Sequence, residues 1–132
     1  MKKLFLFVSL LIIIHSNVIS QGCLPEGIIF STQAQIDSFQ INYPGCTEIE
    51  GDVTIGNTWS GNPTEITNLN GLNVLTSIGG DIEFINNDSL VNFTGLGNLT
   101  AIDGDLTIGK YYWGSYWGNP SLLNFSGLDN LS

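Results

Sequence analysis

Three stretches of the chain share one hydrophobic–polar pattern. Glu48-Ile49-Glu50-Gly51-Asp52-Val53-Thr54-Ile55 recurs as Ser77-Ile78-Gly79-Gly80-Asp81-Ile82-Glu83-Phe84 and as Ala101-Ile102-Asp103-Gly104-Asp105-Leu106-Thr107-Ile108. After each Gly-Asp pair, apolar and polar residues alternate with the period of a strand. Val53 and Ile55 therefore face one way, and Asp52 and Thr54 the other. A second block follows in step: Leu69-Asn70-Gly71-Leu72, Phe93-Thr94-Gly95-Leu96 and Phe125-Ser126-Gly127-Leu128. The units are 48–76, 77–100 and 101–132, of 29, 24 and 32 residues, so a 24-residue unit carries insertions of 5 and 8. Such a period, with apolar residues in fixed columns, predicts a mainly β chain built as a β-solenoid of about three coils. The Gly-Asp pairs are expected at corners, where glycine allows a backbone that other residues resist. Asn62, Asn87 and Asn119 are expected to stack as an amide ladder at another corner.

Upstream of these units the pattern changes. Thr32 and Gln35 have capping-box spacing, Ile36 and Phe39 continue an apolar stripe, and Pro44-Gly45 ends it. Residues 21–47 are therefore expected to form an N-terminal cap with a short helix. Cys23 and Cys46 flank that helix and are the only cysteines. An even count in an exported chain favours a bridge, and no His or further Cys would complete a zinc site around them.

Residues 1–20 have the layout of an export signal: Lys2 and Lys3, an apolar run from Leu4 to Ile14, then Val18-Ile19-Ser20 as the cleavage site. Localisation is expected to be secreted or at the cell surface, with no membrane insertion after cleavage. Processing as a lipoprotein at Cys23, just after Gly22, is the competing reading. Ser20 stands there where that signal usually has Leu.

Charge narrows the functional classes. The chain has 3 Lys+Arg against 12 Asp+Glu; without Lys2 and Lys3 the balance is 1 − 12 = −11. Lys110 is then the single cation, so nucleic acid and anionic membrane surfaces are poor partners. His15, the sole histidine, lies in the export signal, which leaves the rest of the chain without an imidazole. The sequence is read as non-enzymatic and without a cofactor. The column Asp52, Asp81, Glu83 and Asp105 is a candidate for calcium by ligand type, but reads more simply as a solvated acidic face.

The candidate binding chemistry is aromatic. The second insertion, Lys110 to Gly118, holds Tyr111, Tyr112, Trp113, Tyr116 and Trp117, five aromatics in nine residues. The first insertion holds Trp59 before Ser60-Gly61-Asn62-Pro63, which parallels Trp117-Gly118-Asn119-Pro120. Both insertions replace the same corner, so their rings are expected along one edge about 10 Å apart, at two strand spacings. Flat rings flanking a gap suit sugars or an apolar peptide. The plainer alternative is that they pack on one another or on the next coil.

Taken together, Cys23, the capped helix, Cys46 and Glu50-Gly51-Asp52-Val53-Thr54-Ile55 resemble the opening of a receptor L domain, the ligand-binding module of the insulin and epidermal growth factor receptors that also occurs in secreted bacterial proteins. The resemblance covers 23–132. It implies a right-handed β-solenoid with leucine-rich-repeat character and a recognition or adhesion role toward a protein or glycan ligand. No residue-level site transfers from it. An ordinary leucine-rich-repeat spacer is the runner-up: Leu72, Leu75, Ile78, Ile82, Phe84, Asn87 and Leu90 approach that consensus, although Ile78 to Ile82 is one residue too long. The third unit has no covering cap in the sequence, so the chain is expected to be a fragment of a longer surface protein or to self-associate through an open C-terminal coil.

Overall fold

The computed structural model describes residues 21–132. The expected export signal, with Lys2, Lys3 and His15, lies outside the described residues. The strands are β1 (Gln21–Cys23), β2 (Ile28–Phe30), β3 (Cys46–Ile49), β4 (Val53–Gly56), β5 (Ser77–Ile78), β6 (Ile82–Ile85), β7 (Ala101–Ile102) and β8 (Leu106–Ile108). β9 (Lys110–Tyr112) and β10 (Ser115–Trp117) follow. One four-stranded parallel sheet has the order β1-β3-β5-β7 and a second has β2-β4-β6-β8; β9 and β10 form a separate antiparallel ribbon. Two short helices, α1 (Gln33–Asp37) and α2 (Phe39–Asn42), connect β2 to β3.

This corrects the expected right-handed β-solenoid of about three coils behind a disulfide-linked helical cap. Residues 21–47 do not stand before the sheets as a helical cap. They supply the first strand of each sheet, with Gly22 beside Glu48 and Ile28 beside Val53. Each sheet therefore has four strands where the sequence units account for three. The physical reason lies in Ile28-Ile29-Phe30, a β-favouring run that pairs in parallel with Val53-Thr54-Ile55. It was obscured because Gly27 precedes it without the Asp of the later strands. The helix start itself follows its expected chemistry. The Thr32 hydroxyl accepts from the Gln35 N–H, and the Gln35 side chain accepts from the Thr32 N–H. The helical segment is short and broken at Ser38.

Register explains the core. Val53, Ile82 and Leu106 are neighbours across β4, β6 and β8, as are Ile55, Phe84 and Ile108, and Ile49, Ile78 and Ile102 pair across the other sheet. Facing them are Leu69, Leu72, Leu75, Phe93, Leu96 and Leu99, all buried in the same cluster. Each such side chain removed from water stabilises the fold by about 1.5–3 kcal/mol. Glycine sets how closely the connections stack. A Cβ at Gly95 would strike the Leu69 carbonyl and one at Gly127 that of Phe93, and both residues have φ above +100°. Gly80 and Gly104 have no such φ; they are required because the backbone of the preceding corner lies against them. The Gly-Asp corners thus rest on close approach rather than on a left-handed backbone.

Polar groups are laddered as well. Asp52 Oδ1 accepts from the Asp81 N–H at 2.9 Å, and Asp81 Oδ1 accepts from the Asp105 N–H at 2.8 Å. Asp52 and Asp81 of the acidic column therefore serve backbone pairing, and among the described residues no cluster of three or more His, Cys, Asp or Glu is arranged to hold a metal ion. The amide ladder also differs from expectation at its first member. Thr64, not Asn62, lies beside Asn87 and donates its hydroxyl to Asn87 Oδ1 at 2.6 Å. Asn87 Nδ2 donates to Ile55 O and to Asn119 Oδ1, and Asn119 Nδ2 donates to Phe84 O. Asn62 contributes only its carbonyl, which accepts from Asn86 Nδ2 at 2.8 Å.

Cys23 and Cys46 form a disulfide that ties β1 to the start of β3, with their Cα atoms 5.7 Å apart. That bridge occupies the thiol on which lipoprotein processing would depend. Among the described residues no helix is long and apolar enough to cross a membrane.

Candidate functional site

The corner that follows β4, β6 and β8 carries both insertions. After β6 the chain turns directly through Asn86 and Asn87. After β4 it makes the 57–63 loop, and after β8 it makes the β9–β10 ribbon. Thr64, Asn87 and Asn119 are hydrogen-bonded to one another, so both insertions return to one buried polar ladder. They leave strands two positions apart in one sheet, or about 10 Å.

The 57–63 loop is organised by Asn57. Its Oδ1 accepts from the N–H groups of Trp59 and Ser60, and its Nδ2 donates to the Ser60 hydroxyl. This Asx turn lifts Trp59 into solvent, 85% exposed.

The second insertion is an ordered hairpin rather than a loop. Tyr116 pairs with Tyr111, and Trp117 with Lys110. The turn between them is Trp113-Gly114, with φ +44° and +82°, the positive pair that a tight two-residue hairpin turn demands. Alternation along the strands gives the ribbon two faces. Lys110, Tyr112 and Trp117 share one. Trp117 is buried, with its ring 5.1 Å from that of Tyr112, and Lys110 forms an ion pair with Glu83 of β6. The Lys110 ammonium also lies 5.3 Å from the Tyr112 ring centroid. The hydrogen bond that Lys110 donates to Glu83 is the largest cause raising its pKa above the ordinary value; desolvation opposes it and the Glu83 charge adds to it.

The other face and the tip are open. Tyr111 and Tyr116 lie 5.2 Å apart, centroid to centroid, and both are exposed; Trp113 at the tip is 85% exposed. The six expected binding residues therefore divide. Trp59, Tyr111, Trp113 and Tyr116 present rings to solvent, whereas Tyr112 and Trp117 form the inner face with Lys110. Three residues that organise the site were not singled out from the sequence: Asn57, Glu83 as an anchor, and Gly114 as a turn residue. The signal for Gly114 was present, since an X-Gly pair between two alternating aromatic runs marks a hairpin.

Trp113 is the unusual residue. A bulky residue at φ +44° is strained by roughly 1–3 kcal/mol. Asn is the residue type favoured there ahead of Gly. Its exposed ring makes an edge contact with Trp117 and a tilted one with Tyr112. The edge offers flat apolar faces, amides and hydroxyls, and its one cation is paired. That chemistry stacks and hydrogen-bonds. Comparison with protein-family models, with curated proteins and with solved structures found no match to this chain.

Proposed function

We propose that this protein is an exported, non-catalytic recognition module that holds its ligand along the edge formed by Trp59 and the outer face of the β9–β10 ribbon. The carrying observation is Trp113, an exposed indole at the tip of an anchored hairpin, in a backbone conformation that favours another residue type. Stability alone selects against that choice, and binding supplies the reason for it. The order Cys23, capped helix, Cys46, Gly51-Asp52, which resembles a receptor L domain, supports the same role. The export signal expected over residues 1–20 supports a secreted or surface location.

A neutral glycan is the ligand class favoured by two observations. Exposed indoles stand on the 57–63 loop and at the hairpin tip, on insertions that leave strands about 10 Å apart, which suits stacking on sugar rings. The balance of −11 outside the export signal disfavours anionic polymers.

Screening the chain against glycan and peptide arrays tests the reading. Binding to neutral oligosaccharides is expected, weakened about tenfold or more by Trp59→Ala and by Trp113→Ala with the circular dichroism unchanged. A bound ligand indifferent to both substitutions contradicts it. Hits confined to peptides reject the glycan assignment while keeping the edge.

A further inference from the structure

The edge that carries the two insertions continues on the other side of the Trp59 loop. In the sheet order β2-β4-β6-β8, the corner after β2 adjoins the 57–63 loop from the side away from β6. Phe30 lies beside Ile55 in register, so Ser31 and Thr32 stand at the level of Gly56 and Asn57. A cavity of about 380 Å³ opens there, lined by Ser31, Thr32 and Gln33 from one corner and by Asn57, Pro63 and Glu65 from the next. Its size is that of a ligand cleft, roughly 300–1,000 Å³. Asn57 and Pro63 belong to the loop that presents Trp59, so the base of that loop is one wall of the cavity.

The walls are held by bonds within the fold. Gln35 Oε1 accepts from the N–H groups of Ser31 and Thr32 at 2.7 and 3.1 Å. Gln33 Oε1 accepts from the N–H groups of Thr67 and Asn68, and its Nε2 donates to Asn68 O. Asn57 Nδ2 donates within its own loop, to Ser60 and Asn62. Glu65 differs. Its side chain is exposed, forms no hydrogen bond or ion pair among the described residues, and is the one carboxylate in the lining. The cavity thus combines a fixed polar frame with a free acceptor. The backbone donors that would draw an anion are already taken by Gln35. One carboxylate is too few for a calcium ion, which takes about six to eight oxygens. Hydroxyl groups fit, because each can donate to a carboxylate and such charge-assisted bonds are the strong ones.

We propose that this cavity is a further subsite of the aromatic edge, seating one sugar unit of an extended neutral oligosaccharide whose hydroxyls donate to Glu65. The inference rests on the reading of that edge as a glycan site and adds the length of ligand it selects. From the corner after β2 to the ribbon after β8 is three strand spacings, about 14 Å. A chain of sugars reaches both ends, and a single unit does not.

Calorimetric titration of the full chain with neutral oligosaccharides of glucose, xylose and mannose, each as disaccharide and hexasaccharide, tests this. In a series that binds, the hexasaccharide is expected to bind about tenfold more tightly than the disaccharide, the scale of one bond to a charged group. Glu65→Ala should remove most of that gain and leave disaccharide binding unchanged. Glu65→Gln, which keeps an acceptor oxygen, should retain part of it. Both variants should melt with the parent chain, because Glu65 supports nothing within the fold. The proposal fails if Glu65→Ala binds the hexasaccharide as tightly as the parent chain, if length brings no gain, or if no series binds. It also fails if calcium or spermidine binds at Glu65 in place of the sugar. Trp59→Ala and Trp113→Ala keep the two readings apart. Disaccharide binding lost in these variants, with no effect of Glu65→Ala on the hexasaccharide, overturns the subsite alone. Hexasaccharide binding that needs Glu65 and neither indole overturns the edge and leaves the cavity as the site.

Discussion

Trp113 and Lys110 hold the aromatic ribbon by opposite means. Trp113 strains the turn, so Trp113→Asn should relieve it and raise stability by about 1 kcal/mol. Thermal melting would show this as an upward shift in Tm, and a fall would mean that the indole's packing outweighs its backbone strain. The same substitution should remove ligand binding, which separates the two roles of one side chain. Lys110 fastens the ribbon to β6 through Glu83, and that pairing raises its pKa. A group whose pKa is raised on folding stabilises fully below its unfolded value and loses that contribution as pH rises through the folded one. The pairing is thus intact at neutral pH and is released only above the ordinary lysine range. The 13Cε signal of Lys110 should titrate at a higher pH than in Glu83→Gln; coincident curves would remove Glu83 as the cause.

At the scale of elements, the buried ladder beneath both insertions fixes where their rings stand. Asn87 is fully buried, accepts from Thr64 and donates to Ile55 O and Asn119. Asn87→Ala leaves those partners unpaired and should cost about 2–4 kcal/mol in denaturant unfolding. Asp81→Ala removes an exposed bond of the other ladder and should cost less than half as much. Equal losses would mean that the two ladders are equivalent. The alternation in Asp52-Val53-Thr54-Ile55 and its counterparts made β4, β6 and β8 legible, and their register followed from the unit lengths. β2 is hidden in the sequence because its Gly27 lacks the Asp that marks the later corners, so the pattern suggests three coils behind a helical cap where the structure has four strands in each sheet. The ladder was misplaced by two residues because Asn62-Pro63 matches Asn119-Pro120 in sequence, whereas Thr64 supplies the hydroxyl that reaches Asn87. The candidate site was legible as an aromatic cluster. Its division into an inner face, Tyr112 and Trp117, and an outer one, Tyr111, Trp113 and Tyr116, required knowing that 110–117 is a hairpin.

At the scale of the whole molecule, the covalent constraint lies at the β1–β2 end. The Cys23–Cys46 bridge closes a 23-residue separation there, beside the buried Phe30, Ile36 and Phe39. Replacing both cysteines by serine should cost about 2–5 kcal/mol, measured by urea unfolding. An unchanged midpoint would show that the packing of β1 and the helices suffices without the bridge. The proposed binding edge lies on the insertions that follow β4 and β8. Contact of a ligand with this edge is read from the three indole N–H signals. In a heteronuclear titration with an oligosaccharide bound by the chain, Trp59 and Trp113 should shift and Trp117, buried on the inner face, should stay. Movement of Trp117 alone, or of none of the three while the sugar binds, would place the sugar away from this edge.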